Sequence, residues 1–205
     1  MASMVDGERL RAAVAAIVPH SDAKVPATKK AAVAAVYRDA PHGAELLFIR
    51  RAEDPRDPWS GHMGFPGGRV DASDRSPLAT AIRETREELA LDLELAGELV
   101  GQLSEVHTHL APPAAPRAVV PFVFALRDAQ VVLEANHEVQ EIVWVPLSFF
   151  LDRGNRSRMT WVRRGVPLPL PCYRYGGRVI WGLTLRVVDE LLEALVRTAG
   201  NSSPR

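Results

Sequence analysis

This chain is short of cysteine, of long apolar runs and of net charge, and each shortage excludes something. A single cysteine, Cys172, among 205 residues rules out an internal disulfide and fits a reducing compartment. By type alone it reads as a small, half-buried residue, since free cysteine is readily buried. Lysine plus arginine number 25 and aspartate plus glutamate also number 25, so the formal net charge is zero. That balance lacks the basic field of a nucleic-acid binder, although one local basic cluster would still suffice for a phosphorylated small molecule. No apolar run is long enough to span a bilayer, and the first residues carry no signal-peptide pattern. The chain therefore reads as cytoplasmic, with neither nucleic acid nor membrane as partner. What remains is an ordinary globular composition, 47% hydrophobic and 24% charged, long enough to bury a core without staples.

Along the chain, Gly7 to Val18 has apolar positions at helical spacing and predicts a short helix ended by Pro19. His20 to Lys30 is polar and reads as a linker, so residues 1–30 are taken as helix plus linker and residues 31–198 as the main domain. "AAVAAVYR" and "ELLFIRR" are strand candidates around the turn "DAPHG". "LELAGELVGQL", "RAVVPFVFAL" and "EIVWVPL" predict further strands, with "APPAAP" a loop and a short helix running through Phe150. Asp152 to Pro171, rich in Arg, Gly and Pro, reads as a long surface insertion. "RVIWGLT" then leads into an amphipathic helix, "LRVVDELLEALVR", and residues 199–205 into a flexible tail. Strands interrupted by helices predict an α/β sandwich around a mixed sheet.

The chemistry concentrates in "WSGHMGFPGGRVDASDRSPLATAIRETREE", Trp59 to Glu88. Pro77 suits the first turn of a helix, and Leu78, Ala81, Ile82, Thr85 and Leu89 form a stripe to pack on a sheet. Glu84, Glu87 and Glu88 are expected on another side, close enough to meet, where like charges repel by a few tenths of a kcal/mol per pair. Arg83 reaches Glu87 one turn on. The helix alone is compatible with a salt-bridged solvent face or with a divalent-cation site, because Mg²⁺ favours carboxylate oxygens, water and phosphates. The "FPGG" turn just upstream tips the balance: Gly67 and Gly68 let a backbone carbonyl approach a ligand closely.

Gly68 to Leu91 resembles the Nudix box, with Arg83, Glu84, Glu87 and Glu88 matching its Arg-Glu-X-X-Glu-Glu core. Asp74 stands where a glutamate is usual, with one extra residue before Arg83, and Ala90 replaces the usual glycine. Those departures resemble the coenzyme A pyrophosphatase branch. Leu46, Leu47 and Arg50 match the start of that branch's upstream signature, and Gly61, Phe65, Pro66, Gly67 and Gly68 match its end. Phe48 replaces a threonine, the middle is longer, and the late "VIWGLT" also fits the branch.

The resemblance implies an α/β/α sandwich and a Mg²⁺- or Mn²⁺-dependent hydrolase acting on a small-molecule nucleoside diphosphate derivative. It implies Glu84, Glu87 and Glu88 as metal ligands, a Gly67 or Gly68 carbonyl as a further ligand, and Arg83 orienting Glu87. Glu138, in a distant loop, is a candidate general base, with His107 and His109 as alternatives. Asp71 and Asp74 cap the loop or hold a peripheral ion through water. Arg50 and Arg51 should point to opposite faces of a strand end, with Arg50 expected on the phosphate side. Trp59 and Phe65 are expected near the substrate, Trp59 by stacking on adenine. Coenzyme A or its thioesters lead as substrates, with ADP-ribose, nucleotide sugars or dinucleotides as the alternative. The complete Arg83/Glu84/Glu87/Glu88 set argues against a nucleotide-binding regulator without turnover. A homodimer is an expectation by family analogy.

Overall fold

A computed structural model describes residues 5–54, 60–107, 116, 118–163 and 165–201. Helix α1 (Gly7–Ala15) starts at Asp6, whose carboxylate accepts from Arg9 N–H, and stops at Ala16, short of the expected Val18. Its first N–H also reaches Asp39 Oδ1 at 2.6 Å, so an acidic side chain sits at the positive end of the helix. Strands β1 (Lys30–Ala40) and β2 (Gly43–Arg51) form a hairpin, followed by short β3 (Met63–Gly64) and β4 (Gly67–Arg69). Helix α2 (Pro77–Leu89), the short α3 (Leu93–Ala96) and β5 (Gly97–Gln102) come next, then β6 (Val106–His107), β7 (Ala118–Leu126) and β8 (Val139–Pro146). Helix α4 (Leu147–Leu151), strands β9 (Arg156–Arg163), β10 (Val166–Tyr175) and β11 (Arg178–Trp181), and helix α5 (Gly182–Asn201) complete the chain.

The main sheet runs β3-β2-β1-β7-β5, with β8 also on β2, β4 on β1 and β6 on β7. It is mixed, because β1 and β7 are parallel while the other pairs are antiparallel. On one face Ala81 and Leu89 of α2 pack against Ala32, Ala34, Val36, Leu47 and Ile49. On the other, Leu10 and Val14 of α1 and Leu185, Val188 and Leu191 of α5 pack against Leu46, Phe48 and Val123. This is the expected sandwich: alternate residues of β1 and β2 feed opposite layers, as the period of two requires.

The hairpin parts early. β1 and β2 pair only from Tyr37↔Leu46 to Ala40↔Gly43. Beyond that fork β1 takes β4 as partner and β2 takes β3, and Pro66 O accepts from Ala34 N at 2.9 Å. The Phe65–Gly68 segment is thereby wedged into the fork. Gly67 lies at φ 149°, and a Cβ there would stand 2.2 Å from Ala32 O, so only glycine fits.

Three expectations are corrected. Leu93–Ala96 is helical instead of extended, because the Asp92 carboxylate caps Glu94 and Leu95 N–H, and the strand begins at Gly97. The stretch from Asp152 to Pro171 is no irregular insertion. It supplies β9 and most of β10, which with β11 make a second, antiparallel three-stranded sheet. Pro167, Pro169 and Pro171 occupy every second position of β10, so the residues between them carry the ladder to β9, and the missing N–H groups all face the opposite edge. Finally, the closing helix begins at Gly182 and runs to Asn201, taking in residues expected in a strand end and a tail. Among the described residues no helix is long and apolar enough to cross a membrane.

Candidate metal and phosphate site

Ser76 accepts from Ala79 N–H as the N-cap of α2, and Pro77 fills its first turn. The helix ends on Ala90 at φ 53°, left-handed backbone where a Cβ is unfavourable by roughly 1 kcal/mol or more. The turns between them place the box residues. Thr80, Ala81, Thr85, Glu88 and Leu89 are buried. Glu88 therefore belongs to the inward stripe, at i+7 from Ala81 and i+3 from Thr85, and not to the outer face expected for it.

Its carboxylate is 2% exposed and accepts Gly67 N–H at 2.9 Å, which ties the helix to the wedged turn. Gly68 lies alongside Glu84 so closely that a Cβ would sit 2.3 Å from Glu84 Oε1. Glu87 stays half exposed and accepts from Arg83 Nη1 at 3.1 Å, and the same Nη1 donates to Glu84 Oε1 at 3.0 Å. Arg83 is itself gripped by Asp74, with Nε to Oδ1 at 3.0 Å and Nη2 to Oδ2 at 2.9 Å. Asp74 further accepts Thr80 Oγ1–H and Asp71 N–H, and the Arg83 guanidinium holds its carboxyl well below the usual range. Asp74 thus anchors the arginine that bridges two of the three glutamates, which spacing alone did not reveal. Asp71 closes its own turn by accepting Ser73 N–H and Oγ–H.

Glu138 arrives from far along the chain. Glu134 and Asn136 donate their N–H groups to Leu89 O and Glu88 O, the last carbonyls of α2. Asn136 Oδ1 then accepts Glu138 N–H, and Ala52 N–H binds Glu138 O. The loop uses the orphan acceptors of a helix end as its dock, which brings the Glu138 charge to bear on Glu84 and Glu88. Burial pushes the Glu88 carboxyl up to about 8; Glu84 and Glu138 add to the rise, while Gly67 N–H and the Arg51 charge oppose it. Burial likewise raises Glu84, against the pull of Arg83. Both rises come from burial first, with the neighbouring carboxylates adding to them.

The two arginines ending β2 part company as expected from strand geometry. The ladder to β8 shifts between Arg50 and Arg51, from Arg50↔Glu141 to Arg51↔Val139. Arg51 continues the row of Leu47 and Ile49 toward α2, and its charge reaches Glu88. Arg50 lies on the other side, donating to Gly61 O at 3.4 Å and reaching Glu53 at 3.5 Å. The basic group facing the carboxylates is therefore Arg51, where Arg50 was expected. Phe65 is 6% exposed and stacked on Phe48 at 4.7 Å, a core contact and not an open surface for substrate. Trp59 and His109 lie outside the described residues. His107 ends β6, where its carbonyl accepts from Arg186.

Among the described residues no three carboxylate, imidazole or thiol groups already converge as a preformed metal cage. Arg83 Nη1 bridges Glu84 and Glu87, while Glu88 is tied to Gly67 N–H. The donor set itself, carboxylate oxygens beside a glycine turn, suits a hard divalent cation.

The Nudix domain family matches residues 28–164, more than half of the chain. The chain belongs to the Nudix family, and it is a Nudix hydrolase. The human mitochondrial coenzyme A diphosphatase NUDT8 is 31% identical to this hydrolase over 163 residues. That match covers 78% of this chain and 66% of the human protein, just under two thirds of its length. An uncharacterized Nudix hydrolase NudL from Photorhabdus laumondii is 31% identical over 148 residues, 72% of this chain and 75% of its own. Among solved structures, a C. elegans Ap4A hydrolase binary complex superposes with a TM-score of 0.53 at 19% identity, over 83% of this chain and 98% of that one. The NUDIX domain of Shewanella oneidensis NrtR, complexed with ADP ribose, gives 0.50 at 17% identity, over 85% and 94%. At those identities the likeness establishes the fold of the Nudix hydrolase.

Proposed function

We propose that this Nudix hydrolase is a divalent-cation-dependent pyrophosphohydrolase that splits the diphosphate of coenzyme A or its thioesters into 3′-phosphoadenosine phosphate and a 4′-phosphopantetheine fragment. One observation carries the reading: Glu84 and Glu88 lie against the Gly67–Gly68 turn, Glu87 shares the Arg83 guanidinium with Glu84, and the charges of Glu138 and Arg51 bear on the buried Glu88. Glu84, Glu87 and Glu88, with a Gly67 or Gly68 carbonyl, would hold Mg²⁺ or Mn²⁺. When bound, such an ion neutralises the diphosphate and makes a coordinated water more acidic.

The chain's own groups supply the rest. Arg51 meets the phosphate charge on the α2 side of the fork. Arg83, fixed by Asp74, bridges Glu84 and Glu87 and so orients both carboxylates. Glu138 takes the proton of the attacking water as its oxygen bonds to phosphorus and the other phosphate departs with the bridging oxygen. Support for coenzyme A comes from the 31% identical human diphosphatase and from Leu46, Leu47, Gly61, Phe65 and Pro66, the residues resembling that branch. The test is a Mg²⁺-dependent hydrolysis screen with coenzyme A, ADP-ribose and nucleotide sugars, repeated with Glu87→Ala. Coenzyme A cleavage that collapses by about 10³-fold in Glu87→Ala is expected, the range of lost transition-state charge stabilisation. Cleavage of ADP-ribose with coenzyme A untouched overturns the substrate. Full activity in Glu87→Ala overturns the metal ligands.

A further inference from the structure

The second sheet stands beside the strand end that carries Arg50 and Arg51. Its turn is fastened there by Arg178, which pairs with Glu141, the residue opposite Arg50 in the β2–β8 ladder. Thr184, in the first turn of α5, donates to Met63 O on β3, and His62 O accepts Arg51 N–H. One face of this sheet turns Tyr173 and Ile180 into the core. The register places Trp161, Cys172, Arg174 and Trp181 on the opposite face.

On that opposite face Cys172 is fully buried, yet Trp161 and Trp181 are only half buried, with ring centroids 5.8 Å apart, and His62 meets Trp181 edge-on at 5.1 Å. Arg174, diagonal to Trp181, is exposed and forms no hydrogen bond or ion pair among the described residues. Most arginines around it are committed: Arg178 to Glu141, Arg156 to Asp189, Arg50 to Gly61 O and Glu53. A pair of partly open indoles next to an unspent guanidinium, adjoining the fork, matches a flat base on a phosphorylated sugar. Aromatic faces stack on any base, and guanidinium suits phosphate in shape and charge.

We propose that this face is the subsite for the phosphorylated nucleoside end of the substrate: the purine stacks on one indole with the other, tilted by 51°, against its edge, and Arg174 pairs with the phosphate on the ribose. The proposal rests on the pyrophosphohydrolase reading and narrows it, since ADP-ribose and nucleotide sugars carry no such ribose phosphate.

Binding of adenosine 3′,5′-bisphosphate and of AMP to the full chain without divalent cation, measured by calorimetry, tests it apart from turnover. The bisphosphate should bind about tenfold tighter than AMP. Arg174→Gln should erase that advantage and leave AMP binding unchanged. Trp181→Leu and Trp161→Leu should weaken both ligands about tenfold, while Trp181→Phe retains most of the affinity. Thermal melting confirms that each variant is folded, and Trp181→Phe serves where Leu is not. Equal loss of both ligands in Arg174→Gln overturns the phosphate contact, and unchanged affinity in folded Trp variants overturns the shelf. If the binding pattern holds while coenzyme A is not hydrolysed, the subsite stands and the assigned reaction falls. The reverse result removes the subsite alone.

Discussion

Asp74→Asn is the most demanding single perturbation this structure offers. The side chain is 5% exposed and accepts four hydrogen bonds, from Arg83 Nε and Nη2, Thr80 Oγ1 and Asp71 N. Asparagine keeps the volume but has one acceptor oxygen. If that oxygen faces the three donors on Oδ2, the amide NH₂ must face Arg83 Nε, donor against donor. One charged hydrogen bond is lost and another falls from about 1.5–3 kcal/mol to about 1. Arg83 is 27% exposed and recovers some hydration, so the expected loss is about 2–3 kcal/mol at pH 7. Urea denaturation with an unchanged slope measures it. The sign with pH follows from the depressed Asp74 carboxyl: its stabilisation is complete above the unfolded value of about 4 and fades as pH falls below it. The gap between wild type and variant should therefore be widest near neutrality and close in acid. A loss under about 0.5 kcal/mol, or a gap constant down to pH 3, refutes the argument from four bonds to one charged acceptor.

In chelator, the stability of the wild-type protein should fall as pH rises from about 4.5 toward 8, because folded Glu88 stays protonated longer than unfolded Glu88. Glu88→Gln should remove that slope and raise cation-free stability at pH 8 by roughly 2 kcal/mol, while a Mg²⁺-dependent rise in melting temperature disappears. Lys30→Met should cost about 3–5 kcal/mol, since it strands Glu105, 6% exposed, with only Ser21 Oγ and Asp22 N–H; adding Glu105→Leu should recover most of it in thermal melts. Ala90→Gly should stabilise by up to about 1 kcal/mol in the same assay by relieving the left-handed backbone, with no change in catalysis.

Local signals in the sequence reached as far as local physics does. Ser76, Pro77 and the apolar stripe located α2, and alternation located β1 and β2, because caps and periodicity act within a few residues. The direction of Glu88 escaped because its neighbours at helical spacing suggested an outer face, and only the wedged Gly67 shows why a carboxylate turns inward. The approach of Glu138 depends on a loop docking on carbonyls some fifty residues earlier, a contact with no periodicity to announce it. The hairpin of β9 and β10 was masked by prolines, which ordinarily argue against a strand. Their spacing of two was the overlooked clue, since at that spacing every proline can face one edge.

That proline edge has a consequence for how the protein behaves in a crowded solution. Over Pro167 to Pro171, β10 extends past β11, so among the described residues this rim of the second sheet has no strand beside it. An uncovered rim ordinarily recruits strands from other molecules and seeds aggregates. Here every N–H that would greet a newcomer has been replaced by a pyrrolidine ring. The sheet can expose Trp161 and Trp181 on its face while refusing company at its side, so sticky aromatics are displayed without inviting fibrils.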